Sequence, residues 1–333
     1  MNFYRYKRFF CIVFLITQLL GVMACKKEEL IIDDPIGKQI NNDNNTDSFV
    51  EDSIYLSQLY RSNFDFSVTR FGEGLLNPYA FGHLVQGLSI YDITMYQLFD
   101  GGYARVYDFS YDTPILVNEY ALGSCFANNH AGSCQFKYYD ADVARQYLYI
   151  AASNTRNCYV EQINRDTSFL VQTITAEVTD LMPDNMLLAL QIGDDGHLWG
   201  NGRIGTTLYN YKFRVVNLSE GEQVILTDSD IIDHWIVENY DIGHYMRQSV
   251  KIKYGLMFFL YGNSGQGQHR GVDIYDMEAH EKIMNINLDN ESPDEFEGIE
   301  VVGRNIYITT ISNYGLKITL DDYPRAPVKD PNK

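Results

Sequence analysis

The 333 residues carry 44 acidic against 26 basic side chains, a formal charge of −18, and 26 of them are tyrosine. A surface this acidic repels polyphosphate, and phosphate contacts supply most non-specific affinity for nucleic acid, so no nucleic-acid partner is expected. The same charge excludes docking on anionic lipid through a basic face.

In chain order, the first element is a tripartite leader. MNFYRYKR carries Arg5, Lys7 and Arg8, and FFCIVFLITQLLGVMA follows without a charge. A spanning helix needs about 20 apolar residues, and this shorter tract has the scale of a secretory signal core. It ends at Ala24-Cys25, followed at once by KKEE.

The run Leu20-Gly21-Val22-Met23-Ala24-Cys25 resembles the lipobox of bacterial lipoproteins. The resemblance implies cleavage before Cys25, diacylglycerol on its sulfur and an acylated new amino terminus, hence a membrane partner through N-terminal lipid. Two or three acyl chains hold a bilayer far more firmly than one. Lys27-Glu28-Glu29 is similar to the signal that sends Bacteroidota lipoproteins to the outer face of the outer membrane. Cell-surface display is therefore expected, with periplasm-facing attachment as the alternative. The broader likeness is to Bacteroidota surface lipoproteins built on small propellers. It is carried by residues 20–29 and lends no catalytic residue.

The expected organisation is a signal peptide over 1–24, a lipidated cysteine and flexible tether over 25–48, and one folded domain over 49–333. Loss of the leader removes three positive charges and takes the formal charge from −18 to −21. DDPIGKQINNDNNTD is rich in Asn, Asp and Gly, the composition of a leash. About 20 extended residues reach about 60 Å.

The folded part reads as strands: short runs of Tyr, Val, Ile and Phe between Gly, Asn and Asp. MYQLFDG from Met95, YLYIAAS from Tyr147, HLWGNGR from His197, LMFFLYG from Leu256 and NIYITTI from Asn305 start 52, 50, 59 and 49 residues apart. Each has an apolar run before it and one after it, and a fourth often follows, among them EQVILTD in the third copy. Such a rhythm predicts an all-β propeller of five blades, each of about 50 residues. The fifth copy stops at its third strand, so FDFSVTRF, Phe64 to Phe71, is expected to complete it and close the ring. A sandwich is the competing architecture, and extra strands within 49–90 would make six blades.

Candidate ligand residues are the polar side chains at the starts of the inner strands. They are His83, Gln86 and Gly87; then Asn128, Asn129, His130 and Gln135; then Asp184 and Asn185. Blade four offers His244, Tyr245, Arg247 and Gln248, and blade five Glu295, Glu297 and Glu300. Amides, imidazoles and aromatic walls suit hydroxyl-rich ligands. The expected function is a surface binding module for a glycan or an envelope protein at the channel mouth. The first alternative is an extracellular glycoside hydrolase using Glu297 or Glu300 with an acid from another blade, such as Asp92, Asp140 or Asp184. Such a pair must stand about 5–9 Å apart, and strict alternation places Glu297 and Glu300 on opposite faces of one strand. The second alternative is a structural part of an envelope complex.

Of the remaining cysteines, Cys125 and Cys134 close a ten-residue loop and are the expected disulfide. A zinc site of these two with His130 is a weaker reading, and no metal ligand set is assigned. No cofactor is expected, although the acids of DDGHLWGNG offer a possible calcium loop.

The leader makes one prediction. Cys25→Ala abolishes incorporation of labelled fatty acid and moves the protein from the membrane fraction to the soluble one; unchanged partition contradicts the lipid anchor.

Overall fold

A four-stranded sheet with two apolar faces has no stable existence alone, and five such sheets solve the problem by packing around one axis. The structure, a computed structural model, describes residues 56–62, 64–110, 113–126, 129–137, 146–152, 155–183, 186, 188–240, 247–265 and 267–324. The expected lipidation site, the tether, Asn128, Asp140, Asp184, Asn185, His244 and Tyr245 lie outside them.

The chain is a five-bladed β-propeller. From the axis outward, blade 1 holds His83–Tyr91, Thr94–Phe99, Tyr103–Asp108 and Ile115–Ala121. Blade 2 holds Ser133–Phe136, Gln146–Ala152, Asn157–Ile163 and Ser168–Ala176, and blade 3 Leu188–Ile192, His197–Ile204, Thr207–Val215 and Ile231–Val237. Blade 4 holds Arg247–Lys253, Leu256–Tyr261, Gly271–Asp276 and Glu281–Asn287. Blade 5 holds Phe296–Val302, Asn305–Thr310, Gly315–Pro324 and, last, Phe64–Phe71.

The ring closes as the sequence predicts. Phe64–Phe71 runs antiparallel to Gly315–Pro324, with Phe66 opposite Leu320, Val68 opposite Ile318 and Phe71 opposite Gly315. Phe66 and Val68 thereby pack on the core between blades 4 and 5. At the other end of the strand, Phe71, Phe109 and Tyr307 meet edge to face, with centroids 5.5–5.7 Å apart, and tie blade 1 to blade 5. Only glycine fits at 315, because a Cβ there would stand 2.3 Å from the Phe71 ring.

Two blades carry an extra strand. Tyr79–Ala80 hooks onto the start of His83–Tyr91 through the left-handed pair Phe81 and Gly82. Gln223–Leu226, expected as the fourth strand of blade 3, instead joins blade 2 in parallel beside Ser168–Ala176. Val224 and Leu226 sink into the core between blades 2 and 3, and Gln172 holds the approach through the carbonyls of Asn217 and Gly221. The alternating run Ile231–Val237 takes the vacated place in blade 3.

A short helix over 56–61 precedes the closing strand. Tyr60, fully buried, donates its hydroxyl to Gly303 O at 2.9 Å, and Arg61 pairs with Asp276 at 2.7 Å. Gly303 follows the end of the inner strand of blade 5, and Asp276 ends the third strand of blade 4. First and third strands of an antiparallel blade run the same way, so this helix sits on the face opposite the inner-strand starts.

Gly315→Ala is predicted to cost about 1–3 kcal/mol by overpacking against Phe71. Urea denaturation measures it; an unchanged midpoint contradicts the tight closure.

Candidate functional site

The inner strands approach one another where glycine allows it. A Cβ on Gly87 would lie 2.5 Å from Ala131 O, and one on Gly298 2.6 Å from Leu88 N. Blades 5, 1 and 2 therefore meet backbone to backbone, and the polar side chains beside these glycines are driven onto the axis.

Glu300 occupies that point, 1% exposed. Its Oε2 accepts from Ser89 Oγ at 2.8 Å, Ile90 N at 3.1 Å and Lys251 Nζ at 2.9 Å. Its Oε1 pairs with Lys253 Nζ at 3.0 Å and accepts from Val301 N at 2.8 Å. Burial alone would raise this carboxyl; the two ammonium groups outweigh it and hold it near a pKa of about 2. Burial pushes the Lys251 ammonium down while Glu300 draws it back up. Lys251 also donates to Cys134 O, and Lys253 to Val301 O at 2.6 Å.

Further bonds cross the axis between blades 2 and 4, which are not neighbours in the ring. Ser133 and Ser249 share a hydroxyl hydrogen bond at 3.1 Å, Val250 N donates to Ser133 Oγ at 3.0 Å, and Gln135 Nε2 donates to Ile252 O at 3.1 Å. The centre is thus a cross-linked polar plug. A substrate has no path to Glu300, whose lone pairs are already taken, and this removes it as a hydrolytic acid.

Glu297 is different. It is 4% exposed and takes no hydrogen bond or ion pair among the described residues. Burial, reinforced by Glu295, pushes its pKa up to about 9, so it is a neutral acid at pH 7. The expected alternation also fails here. A bulge between Phe296 and Ile299 puts Phe296, Ile299 and Val301 in the same core, so Glu297 and Glu300 share the opposite side of the strand rather than facing apart. Neither perturbs the other's ionisation; Glu295 is the charge that Glu297 feels.

Beside Glu297, Gln248 Nε2 donates to Glu295 Oε1 at 2.8 Å and to Gly262 O at 2.9 Å. Arg247, half-buried, donates to Asn201 O at 2.8 Å and pairs with no carboxylate among the described residues. Burial, with Arg203 nearby, pushes its pKa down to about 10. Gln248, Glu295 and Glu297 together form the polar mouth between blades 4 and 5, while Arg247 turns the other way, to blade 3.

The other expected residues serve the frame. Asn129 bridges Ser124 and Ala131 N within its own turn, and His130 meets Asp100 at 3.0 Å. His83 stacks on Tyr103 at 4.9 Å, and Gln135 belongs to the plug. Gln86 is half-buried and makes no bond among the described residues. Asp92 stands exposed in a left-handed turn at the far end of its strand, away from the mouth.

The expected Cys125–Cys134 disulfide is not formed: both thiols are free, as is that of Cys158. Cys134 faces Gly87 from the inner strand of blade 2 while Cys125, after the last strand of blade 1, packs against Gly102, so the two are held apart. Burial pushes the Cys134 thiol up to about 12. Among the described residues no three His, Cys, Asp or Glu side chains gather as a metal site. In the DDGHLWGNG loop, Asp194 accepts from Tyr254 N, and Asp195 pairs with His197 and Lys212.

Lys251 and Lys253 were not among the sequence candidates. Their signal was present: two cations alternating with Val250 and Ile252 at the end of an inner strand, with Glu300 on the next inner strand.

No family model matches this sequence, and no curated protein does. Among solved structures, the tail fibre of Staphylococcus aureus phage P68 is similar over 83% of this chain and 56% of its own, at 10% identity and TM-score 0.50. The glutaminyl cyclase of Myxococcus xanthus is similar over 78% of this chain and 98% of its own, at 14% identity and TM-score 0.46. Virginiamycin B lyase of Staphylococcus aureus covers 77% of this chain and 100% of its own, at 11% identity and TM-score 0.42. These likenesses concern the fold alone.

Glu300→Gln leaves two buried ammonium groups without their counter-charge and is predicted to cost about 3–5 kcal/mol. Because the folded pKa lies below the ordinary 4.5, the stability that Glu300 supplies is complete above pH 4.5 and fades as pH falls towards about 2. Urea titrations from pH 7 to pH 2 should show this acid loss in the parent and a flatter profile in the variant. Equal profiles contradict the plug.

Proposed function

We propose that the protein is a lipid-tethered binding module that takes a hydroxyl-rich glycan at the mouth formed by Gln248, Glu295 and Glu297. One observation carries the reading. Glu297 is a carboxylic acid on a side chain 4% exposed that takes no hydrogen bond or ion pair among the described residues, and burial without a partner disfavours its charged form. As a neutral acid it both donates and accepts, which suits a sugar hydroxyl, and the amide oxygen of Gln248, whose two N–H groups are given to Gly262 and Glu295, adds an acceptor beside it.

An envelope protein binding at the same mouth is the alternative partner.

A second reading rests on the same pair of acids. Glu297 held neutral beside Glu295 is the pattern by which two carboxyls divide acid and base roles, as in glycoside hydrolysis. Glu297→Gln then abolishes turnover of the bound glycan, whereas a binding module has no turnover to lose.

Purified protein screened on capsular, host and plant glycans is expected to bind at least one class. Glu297→Leu should abolish that binding while raising stability by about 1–3 kcal/mol. With a folded pKa above the unfolded value, Glu297 weakens the fold increasingly as pH rises from 4.5 towards about 9, so the gain is larger at pH 8 than at pH 5. No glycan bound, or binding untouched by the substitution, contradicts the assignment.

A further inference from the structure

Blades 3 and 4 pack through a core that includes Leu208, Trp235, Met257, Phe259 and Tyr275. Towards the rim this core gives way to a cleft of about 490 Å³, between residues 236–240 of blade 3 and the outer half of blade 4. That volume falls within the range of about 300–1,000 Å³ usual for small-ligand pockets.

The cleft is lined by groups that a packed interface has no use for. Asp273, with a side chain 1% exposed, lines it from the third strand of blade 4. Its Oδ1 accepts from Asn285 Nδ2 at 2.7 Å and pairs with Lys282 Nζ at 3.5 Å; no bond reaches Oδ2 among the described residues. His280, also in the lining, is fixed by Asp233 at 2.9 Å and stacks on Trp235 at 5.6 Å and 10°. Trp235 in turn touches Tyr275 at 5.6 Å. Behind the wall, Asn210 and Trp235 stand opposite one another in the sheet, and Asn210 Nδ2 and Trp235 Nε1 are buried donors without a partner. Native interiors leave few such groups; neither side chain is in the lining, and Trp235 reaches it through its ring contacts with His280 and Tyr275.

We propose that this cleft is a second binding site, distinct from the axial mouth, for one or two rings of a neutral sugar. The unoccupied oxygen of Asp273 accepts from ring hydroxyls, Lys282 donates to others, and Nδ1 of His280, whose Nε2–H is held by Asp233, accepts one more. An anionic sugar meets Asp273 and Glu238 in the lining. A purely apolar ligand strips Asp273 of water with nothing in return.

The chain has two tryptophans, so its indole N–H groups give two NMR signals, assignable with Trp199→Phe and Trp235→Phe. The full chain is titrated separately with methyl glycosides of glucose, galactose, mannose and N-acetylglucosamine, and with glucuronate. At least one neutral glycoside should move the Trp235 signal saturably. Asp273→Asn should weaken that binding at least tenfold. Lys282→Ala, on the exposed rim, should weaken it about threefold with the melting temperature unchanged. Glu297→Leu should leave it intact, which separates this site from the mouth. The proposal is overturned if no neutral glycoside moves the signal, if glucuronate moves it equally, or if Asp273→Asn and Lys282→Ala both bind as the parent does. Loss of the response in Glu297→Leu also overturns it, by assigning the ligand to the mouth.

Discussion

Glu300 and its two lysines are the point on which the architecture converges. Three charged groups stand where five inner strands meet, out of water, and each is satisfied by another blade: Ser89 and Ile90 from blade 1, Lys251 and Lys253 from blade 4. An apolar plug of similar volume would hold the ring as well or better, because burying ions is expensive. What the charges add is geometry. A carboxylate that accepts from three strands permits one mutual height for them, and the cross-axis bonds of Ser133 and Gln135 repeat the constraint between blades 2 and 4.

That constraint sets the two ends of one strand apart. Among the described residues the axis is filled at Glu300, and above that point the side chains change character. Glu300 is spent on structure, whereas Glu297, three residues earlier on the same side of the strand, is met by no partner. The same strand thus supplies a structural ion and an unmet acid, and the bulge between Phe296 and Ile299 is what lets both lie on one side.

The ring itself was legible from the sequence because its cause is periodic. A blade needs four short strands and tight turns, and that need recurs about every 50 residues with Tyr, Val, Ile and Phe at the buried positions. The incomplete fifth copy and the stray FDFSVTRF together pointed to closure. Local ambiguity defeated the finer assignments. QVIL and IIDHWIV both alternate, and only the tertiary fit of Val224 and Leu226 against blade 2 separates them. Strict alternation is a rule for regular strands, and the bulge at Glu297 breaks it. Cys125 and Cys134 are close in sequence, but one follows the last strand of blade 1 and the other sits in the inner strand of blade 2. The mouth was legible in part: Gln248 and Glu297 lie there beside Glu295, while Arg247 turns to blade 3 and Asn129, His130 and His83 answer needs of turns and stacking that spacing does not reveal. The blade 3 and 4 cleft has no linear signature, since its walls come from two repeats.

The central claim is that two glutamates on one strand have opposite fates, and carboxyl-carbon NMR of the glutamates across a pH titration tests it directly. The account predicts that Glu300 stays ionised down to a midpoint near pH 2 while Glu297 stays protonated up to a midpoint near pH 9. If both titrate together near the ordinary 4.5, the plug is not ion-paired, the mouth holds no neutral acid, and the account fails.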